Sequence, residues 1–283
     1  MAAASVELRP VRVSDRERVA EISADVWDGH DYIPRVFDEW VSDPGAWFQA
    51  AELDGELVGV QRLRPIAPSV IWYEGLRVAS SHRRRGLARA MLTAAAAQAR
   101  GLGFTDLRLA TANPDAIALF RSAGFSLLVA PRLWRARRLE GDEPARMPSP
   151  ADAARLFKLV QADPALTAYG GIMASGEWAL DVNADLLGRL AGEGALRIAA
   201  SGRAMAAVRE GWGGDNLWAY FVSGSGGTLQ ELLLALRFEA DVDGMEGVSL
   251  WAPDGHPAEE DFSATGYDSE AEPFRLSYFG LRL

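Results

Sequence analysis

The sequence brings a basic cluster, a glycine and a helix-forming run into immediate succession. Three arginines lead into the glycine: Arg83, Arg84 and Arg85. The run from Gly86 to about Arg100 has no proline and a high helix propensity, and the apolar segment 70–78 before the arginines is typical of a strand. A turn that enters a helix leaves the first backbone N–H groups unpaired, and the helix dipole and the arginines favour an anion beside them. Because Gly86 and Ala88 carry little or no side chain, an anion can approach this backbone closely. The sequence therefore predicts a pyrophosphate-binding turn.

The spacing of this turn resembles a family motif. Arg83-x-x-Gly86-x-Ala88 is similar to the acyl-CoA loop R/Q-x-x-G-x-G/A of the GCN5-related N-acetyltransferases, the GNAT superfamily. Neither a Walker loop nor the dinucleotide pattern G-x-G-x-x-G occurs in the chain.

A second pattern strengthens this resemblance. The segment from Asn113 to Phe125 resembles the GNAT signature N-x-x-A-x-x-L-Y-x-x-x-G-F, with matches at Asn113, Ala116, Leu119, Gly124 and Phe125. Asn113 lies 27 residues after Gly86 and one predicted strand later, which is the order in the superfamily. The resemblance spans roughly residues 5–139 and implies an enzyme whose acyl donor is acetyl-CoA.

The resemblance also implies roles for individual residues. Backbone groups of the central strand would hold the thioester arm and polarise its carbonyl: Leu76, Arg77 and Val78. The turn and the first helical residues would hold the pyrophosphate: Arg83, Arg84, Arg85, Gly86, Leu87 and Ala88. Asn113 and Phe120 would lie near the pantetheine and the sulfur.

Acetyl transfer to an amine needs a neutral nitrogen, a positioned thioester, stabilisation of the oxyanion, and a proton for the leaving thiolate. Glu74 is the best candidate for the general base, directly or through water. Strand alternation places it on one face with Leu76 and Val78, although a bulge would change that face. The alternative role for Glu74 is a solvated carboxylate or a structural ion pair.

Phe120 departs from the family pattern, because many members have a tyrosine there as general acid. Phenylalanine has no proton to give. A thiol with a pKa like that of cysteine, about 8.5, still yields a tolerable leaving group near neutrality. Tyr32, Tyr73 or water are the candidate proton donors, and the sequence leaves them open.

A narrower likeness concerns the acceptor. Several segments of the first half resemble a subgroup that contains histidine N-acetyltransferase. They include Asp28, Asp31, Tyr32, Ile33, Pro34 and Trp40, and the pairs Asp43-Pro44 and Glu74-Gly75. This likeness implies a free amino acid or a similar small amine as acceptor. The substrate-contacting candidates are Asp31, Tyr32 and Tyr73.

Composition excludes several other classes. The chain has 283 residues, 49% of them hydrophobic, and no apolar run long enough to span a membrane. It has no cysteine, which excludes disulfides and thiolate metal sites, and none of its three histidines forms a pair with metal-ligand spacing. The start of the sequence lacks a secretory signal pattern, so we expect a cytoplasmic protein. Residues 1–140 hold 19 basic and 17 acidic side chains, whereas residues 141–283 hold 10 and 22, so a nucleic-acid partner is not expected.

The elements that must position the first half are predicted in order. A strand covers 6–10, and a capping-box pattern at Ser14 and Glu17 indicates a helix start. A second helix includes Pro34 and ends near residue 41. Strands at 47–53 and 56–64 flank the Asp54-Gly55 turn, the central strand covers 70–78, and another strand covers 106–110.

The second half echoes the first at offsets of 142 to 147 residues. The turn at Ser201-Gly202 corresponds to the one at Gly55, the strand 217–222 to the central strand, the helix 229–238 to the helix after Gly86, and Gly266 to Gly124. The loop 223–228 lacks the arginines, and we expect a flexible turn there. The sequence thus predicts a mixed α/β fold with a GNAT domain at 1–140, a linker at 141–150 and a degenerate, non-catalytic GNAT-like domain at 151–283 that completes or braces the acceptor site.

The predicted function is transfer of an acetyl group from acetyl-CoA to a primary amine of a small molecule, by direct attack of the amine. Two alternatives stay open at this stage. One is a non-catalytic acyl-CoA-binding sensor, motivated by Phe120 and the degenerate half. The other is acetylation of a protein or peptide amine.

Overall fold

The computed structural model describes residues 7–141, 143, 145–271 and 274–283, and the side chains of Trp27 and Asp28 are not part of this description. The first residue of the predicted strand at 6–10 and two residues of the predicted linker, Asp142 and Pro144, lie outside the described residues. No helix in the described ranges combines the length and the apolar character that a membrane crossing requires.

The chain forms two compact units that do not coincide with the predicted segments. The first unit consists of Met1–Ser126 and Phe279–Leu283, and the second of Leu127–Tyr278. The chain therefore enters the second unit before the predicted linker and returns to the first unit for its last five residues.

The first unit contains ten strands and helices from the continuous part of the chain. They are β1 (Glu7–Pro10), α1 (Arg16–Ser23), α2 (Ile33–Ser42), β2 (Trp47–Leu53), β3 (Glu56–Ala67), β4 (Val70–Val78), α3 (Leu87–Gly101), β5 (Asp106–Thr111), α4 (Pro114–Ser122) and β6 (Ser126–Val129), of which only Ser126 belongs to this unit. The hairpin around Asp54-Gly55, the central strand, and the helix that contains Pro34 are confirmed.

A helix does begin within the predicted segment from Ser14 to Glu17, but its cap is Asp15 and not Ser14. A short 3-10 turn covers Val13–Asp15, and α1 begins only at Arg16. The reason is that Asp15, not Glu17, closes the capping box: its Oδ2 accepts the backbone N–H of Arg12 at 2.7 Å.

Two hydrophobic clusters cover the two faces of the first sheet. On one face, α1 and α2 contribute Val19, Ile22, Ile33, Phe37 and Trp40 to a cluster with Phe48 and Val60. On the other, α3 and α4 contribute Leu92, Ala95 and Phe120 to a cluster with Ile71, Tyr73 and Leu107. Both faces of the central strands are therefore buried, as expected where helices cover a mixed sheet.

The second unit repeats this plan. Its elements are β7 (Arg132–Arg137), α5 (Ala153–Ala162), α6 (Pro164–Ala168), β8 (Ile172–Ala174), β9 (Ala179–Asp181), α7 (Ala184–Gly192), β10 (Leu196–Ile198), β11 (Met205–Glu210), β12 (Asn216–Ser223), α8 (Gly226–Val242), β13 (Gly247–Ala252) and α9 (Glu259–Ala264). The sheet order is β10-β11-β12-β13-β7.

The last strand, β14 (Ser277–Arg282), brings the end of the chain into the first unit. It lies beside β5, where the order of strands is β1-β2-β3-β4-β5-β14. β1 pairs with β2, β2 with β3, and β3 with β4, all antiparallel, whereas β4 and β5 are parallel. The predicted mixed α/β class is therefore confirmed.

Candidate functional site

The parallel strands β4 and β5 separate at their carboxyl ends. They pair only at Val70 with Asp106, Ile71 with Leu107, and Trp72 with Arg108. Beyond Trp72, β4 continues to Val78, and β5 continues beyond Arg108 to Thr111, without further pairing. The carboxyl ends of parallel strands are where ligands bind in sheets of this kind, and the gap lies next to the predicted turn.

The turn after β4 presents a run of unpaired backbone donors. In the described part of the chain, no acceptor is found for six consecutive N–H groups, those of Arg84, Arg85, Gly86, Leu87, Ala88 and Arg89. The N–H of Ala90 is the first that donates into the helix, to the Gly86 carbonyl at 3.0 Å. Arg84 has φ +60° and Gly86 has φ +82°, and such left-handed residues turn successive N–H groups towards one side. A concave, positively polarised surface results.

The three arginines of the turn differ in their contacts. Arg83 forms a two-point ion pair with Asp25, at 2.6 and 2.7 Å, and its Nε donates to the Val78 carbonyl at 3.0 Å. The Arg83 guanidinium holds the pKa of Asp25 below its usual range. Arg83 therefore fixes the turn to the end of β4, whereas the exposed Arg84 and Arg85 form no ion pair with any described residue.

A bulge in β4 determines on which face of the sheet the side chains of Glu74, Leu76 and Arg77 lie. The register with β3 shifts: Val60 pairs with Arg77, but Arg62 pairs with Glu74, so β4 carries one extra residue there. Gly75, in the bulge, has φ +68°. Leu76 packs with the α3–α4 cluster, while Glu74 and Arg77 lie on the α2 side. The expectation that Glu74 shares a face with Leu76 is therefore wrong, because the bulge breaks the alternation.

Glu74 lies in a network of charged groups. Its Oε1 accepts from Arg62 Nη1 at 2.5 Å and from Arg64 Nε at 3.4 Å. Arg62 also contacts Asp43, and its guanidinium lies 4.7 Å from the centroid of the Trp40 ring. For Oε2 no hydrogen bond is found among the described residues. One oxygen thus serves the ion pairs and the other is available for a ligand.

The two acceptor candidates of the segment before α2 have different surroundings. Both oxygens of Asp31 accept from the Arg77 guanidinium, at 2.7 and 2.8 Å, so the charge of this carboxylate is paired within the chain. The Tyr32 ring lies 5.5 Å from the Arg77 guanidinium. Burial is the main cause that raises the pKa of Tyr32 to about 12, so its hydroxyl keeps its proton at neutral pH.

The remaining predicted residues lie on the α3–α4 side of the sheet. Tyr73 is buried, its hydroxyl donates to Gln61 of β3 at 3.0 Å, and burial raises its pKa. Phe120 is buried against Tyr73, with 6.4 Å between ring centroids. Asn113 caps α4, because its Oδ1 accepts the N–H groups of Asp115 at 2.8 Å and of Ala116 at 3.3 Å.

The second unit has a corresponding turn in which carboxylates of the chain accept some of the donors, while no acceptor is found among the described residues for the N–H groups of Gly227, Thr228 and Leu229. The expected flexible loop at 223–228 is wrong, because α8 begins at Gly226. Asp163 Oδ2 accepts from the Ser223 hydroxyl at 2.7 Å and from the Gly224 N–H at 2.5 Å. Asp261 accepts the Gly226 N–H at 2.8 Å. Two carboxylates of the chain itself thus accept hydrogen bonds from the backbone of this turn.

The gap between the two parallel strands of the second unit is filled as well. β12 and β13 pair only as far as Ala219 and Leu250. The Tyr169 ring packs on Phe221 with 4.6 Å between centroids, and its hydroxyl donates to the Trp251 carbonyl at 2.9 Å, so this side chain contacts both strands. The buried His256 packs beside Tyr169, and burial lowers its pKa.

Sequence reasoning missed several of these partners. Asp25, Arg62, Asp163 and Tyr169 are far in sequence from the groups that they contact. The likeness at the Asp28-to-Pro34 segment singles out Asp31, but it does not indicate that Arg77 is the partner of this carboxylate. Single-sequence patterns carry no information on which distant charges meet.

Comparison with known proteins agrees with this geometry. Residues 15–125 match the model of the acetyltransferase (GNAT) family. The N-alpha-acetyltransferase RimI of Mycobacterium tuberculosis is 32% identical over 116 residues, which are 40% of this chain and 73% of that protein.

Two solved structures resemble the chain over both units. A tandem GNAT protein from the clavulanic acid biosynthesis pathway is 16% identical, with 98% of each chain covered and a TM-score of 0.55. A GCN5-related N-acetyltransferase from Kribbella flavida is 13% identical, with 99% of this chain and 72% of that chain covered and a TM-score of 0.56. The fold is therefore that of a tandem GNAT protein. Since the family model spans the turn with its unpaired amides and the relative is 32% identical over 73% of its own length, the chain belongs to the GNAT family of N-acetyltransferases, which use acetyl-CoA as the acyl donor.

Proposed function

We propose that the chain acetylates a primary amine of a small molecule and binds acetyl-CoA at the turn between β4 and α3. The run of six unpaired N–H groups from Arg84 to Arg89 carries this proposal. Hydrogen bonds from backbone N–H groups to charged oxygens are about twice as strong as neutral ones, and Arg84 and Arg85 add positive charge beside them. These residues fit a pyrophosphate.

The chain's own groups support direct transfer. Acetyl-CoA supplies an activated acetyl thioester; the amine nitrogen forms a bond to the carbonyl carbon, and the carbon–sulfur bond breaks. The amine loses one proton and the sulfur gains one, so the products are an N-acetyl amine and the free thiol. We assign Glu74 Oε2 as the general base that accepts the proton of the amine. We assign the Tyr32 hydroxyl as the proton donor to the leaving thiolate, because it is protonated at neutral pH and lies on the same side of the sheet as Glu74.

A thiol-release assay tests the proposed function. The purified chain is mixed with acetyl-CoA and, in turn, with free amino acids, polyamines, aminoglycosides and short peptides that have a free N-terminus. We expect thiol release with at least one small amine, and the acetylated product by mass spectrometry. Coenzyme A binding without thiol release for any acceptor would instead support a sensor.

The peptide arm addresses a second candidate function. RimI, the relative that shares 32% identity with this chain, is an N-alpha-acetyltransferase, which favours a protein N-terminus as acceptor. The narrower likeness to the histidine N-acetyltransferase subgroup favours a free amino acid. Faster release with peptides than with every free amino acid would support the protein acceptor.

Glu74→Gln tests the assigned base. The amide keeps an oxygen for Arg62 but cannot take a proton, and a positioned general base typically contributes about 10²–10⁴-fold. We expect kcat/KM for the amine to fall by at least ~100-fold, with the coenzyme A affinity measured by calorimetry unchanged. A variant with wild-type kcat/KM would assign Glu74 to the ion pairs with Arg62 and Arg64 alone.

The hydrogen bonds in the turn of the second unit predict how many coenzyme A molecules one chain binds. Since Asp163 accepts the Gly224 N–H, Asp261 accepts the Gly226 N–H and the loop 223–228 has no arginine, we expect calorimetry to give one coenzyme A per chain. Two equivalent sites per chain would contradict the proposal that the second unit does not bind the donor.

A further inference from the structure

We propose that Asp31 is a positioning residue for acetyl transfer. With Trp40 it holds the bulge of β4 in the shape that presents the Leu76–Arg77 peptide to the thioester. The proposal rests on the proposed function of this site. It assigns Asp31 a role through Arg77 and not a contact with the acceptor amine.

The ion pair between Asp31 and Arg77 is buried and geometrically complete. Arg77 Nε donates to Oδ2 at 2.7 Å and Nη2 donates to Oδ1 at 2.8 Å. The Asp31 side chain is 2% exposed and the Arg77 side chain 14%. The N–H of Ile33 also donates to Oδ1, at 3.3 Å, which fixes the carboxylate to the start of α2. Two-point pairs of this kind define an orientation as well as a distance.

The same guanidinium reaches back to the bulge. Arg77 Nη1 donates to the Leu76 carbonyl at 3.0 Å. This carbonyl belongs to the peptide that joins Leu76 to Arg77, the second peptide after the residue with φ +68°, Gly75. Because Asp31 fixes the guanidinium and the guanidinium fixes the carbonyl, Asp31 sets the plane of this peptide.

A second contact closes the bulge from the α2 side. A Cβ added to Gly75 would lie 2.7 Å from Cζ3 of Trp40, closer than side chains approach each other. Trp40 is itself buried, with edge contacts to Tyr32 at 5.7 Å and to Phe48 at 5.2 Å between centroids. The bulge therefore cannot shift towards α2, and the ion pair prevents its rotation.

Loss of these contacts should change kcat more than the affinity for coenzyme A. A misplacement of about 1 Å at a reacting group can reduce the rate about 100-fold. The pyrophosphate turn at 84–89 does not include any of these clamp residues. Loss of the clamp should therefore lower kcat and leave coenzyme A affinity intact.

Asp31→Asn is the first test, because it removes the charge and keeps the shape. We expect kcat to fall by about 10- to 100-fold. The coenzyme A dissociation constant and the KM for the amine should stay within about twofold, a difference well below one tenfold step in affinity. Arg77→Lys, which keeps the charge but cannot bind at two points, should lower kcat by a similar factor and guards against a folding failure of the first variant. The double variant should be no slower than the slower single one, since residues that act as a pair are not additive.

Paired glycine substitutions test the contact with Trp40. Gly75→Ala introduces both a strained φ and the clash, whereas Gly55→Ala in the β2–β3 turn introduces a similar strain, φ +80°, with nothing within 4 Å. We expect Gly75→Ala to lower kcat and Gly55→Ala to leave kcat unchanged. Equal kcat values for the two variants would contradict the clamp.

Three outcomes separate the clamp from the proposed function. Unchanged kcat in a folded Asp31→Asn variant refutes the clamp while the enzyme stays active. A rise in the KM for the amine at constant kcat also refutes it, because Asp31 would then contact the acceptor. If the wild-type chain releases no thiol with any amine, the proposed function itself fails, whatever the variants do.

Discussion

Replacing Gly86 with valine is expected to weaken coenzyme A binding by at least ~100-fold, measured by calorimetry. A β-branched side chain is strained at φ +82°, and its branches would cover the amides beside it. Hydrogen bonds to charged groups contribute about 1.5–3 kcal/mol each, so losing two of them corresponds to this factor or more. Nothing lies within 4 Å of the added Cβ, so the loss of stability should come from backbone strain alone and the variant should still fold.

Gly103→Val is the matched control for this substitution. Gly103 follows the other end of α3, has φ +88° and likewise has nothing within 4 Å of an added Cβ. We expect it to lower stability as much as Gly86→Val does and to leave coenzyme A affinity unchanged. Equal affinities of the two variants would show that the unpaired amides do not hold the phosphates.

Phe279→Ala is expected to lower the free energy of unfolding of the first unit by about 3–5 kcal/mol, which is the usual cost of truncating a buried phenylalanine. Phe279 is 0% exposed and packs beside Phe120, with 6.4 Å between ring centroids. It belongs to the strand that lies next to β5. A urea titration, followed with and without coenzyme A, measures the loss.

Phe274→Ala provides the comparison within the same stretch of chain. Its ring is 49% exposed, so the same truncation should cost less than about 1 kcal/mol. Deletion of residues 279–283 should go further and abolish coenzyme A binding, because it also removes the bond from the Leu283 N–H to the Thr105 carbonyl at 2.9 Å. A deletion variant with wild-type affinity would show that the first unit does not need the end of the chain.

The clamp and the closed second turn share one physical feature. In both places a carboxylate of the chain occupies groups that sequence patterns would assign to a ligand: Asp31 on Arg77, and Asp163 on Gly224. Buried polar groups must find partners. A motif residue is therefore free for a ligand only where no side chain of the chain reaches it, as at residues 84–89.

Local patterns in the sequence determined the elements that build the site. The hairpin at Asp54-Gly55, the strand Val70–Val78, and the glycine turn with the helix after it were all predictable, because each depends on backbone preferences of neighbouring residues. An anion site followed from the same turn, since unpaired amides beside arginines bind anions without knowledge of the fold. The acyl-CoA donor was implied by the resemblance of the turn's spacing to the GNAT motif.

Only the tertiary structure decided which charges meet and where each strand belongs. The bulge at Gly75 moved Glu74 to the side of Arg62, Asp31 proved to be the partner of Arg77, and the last strand joined the first unit. These features depend on contacts between residues far apart in sequence. Neither ion pairs nor the pairing of a distant strand produces a periodic pattern in the sequence. The physical reason is that the free energy of such contacts comes from burial and complementary charge in three dimensions, which local propensity does not encode.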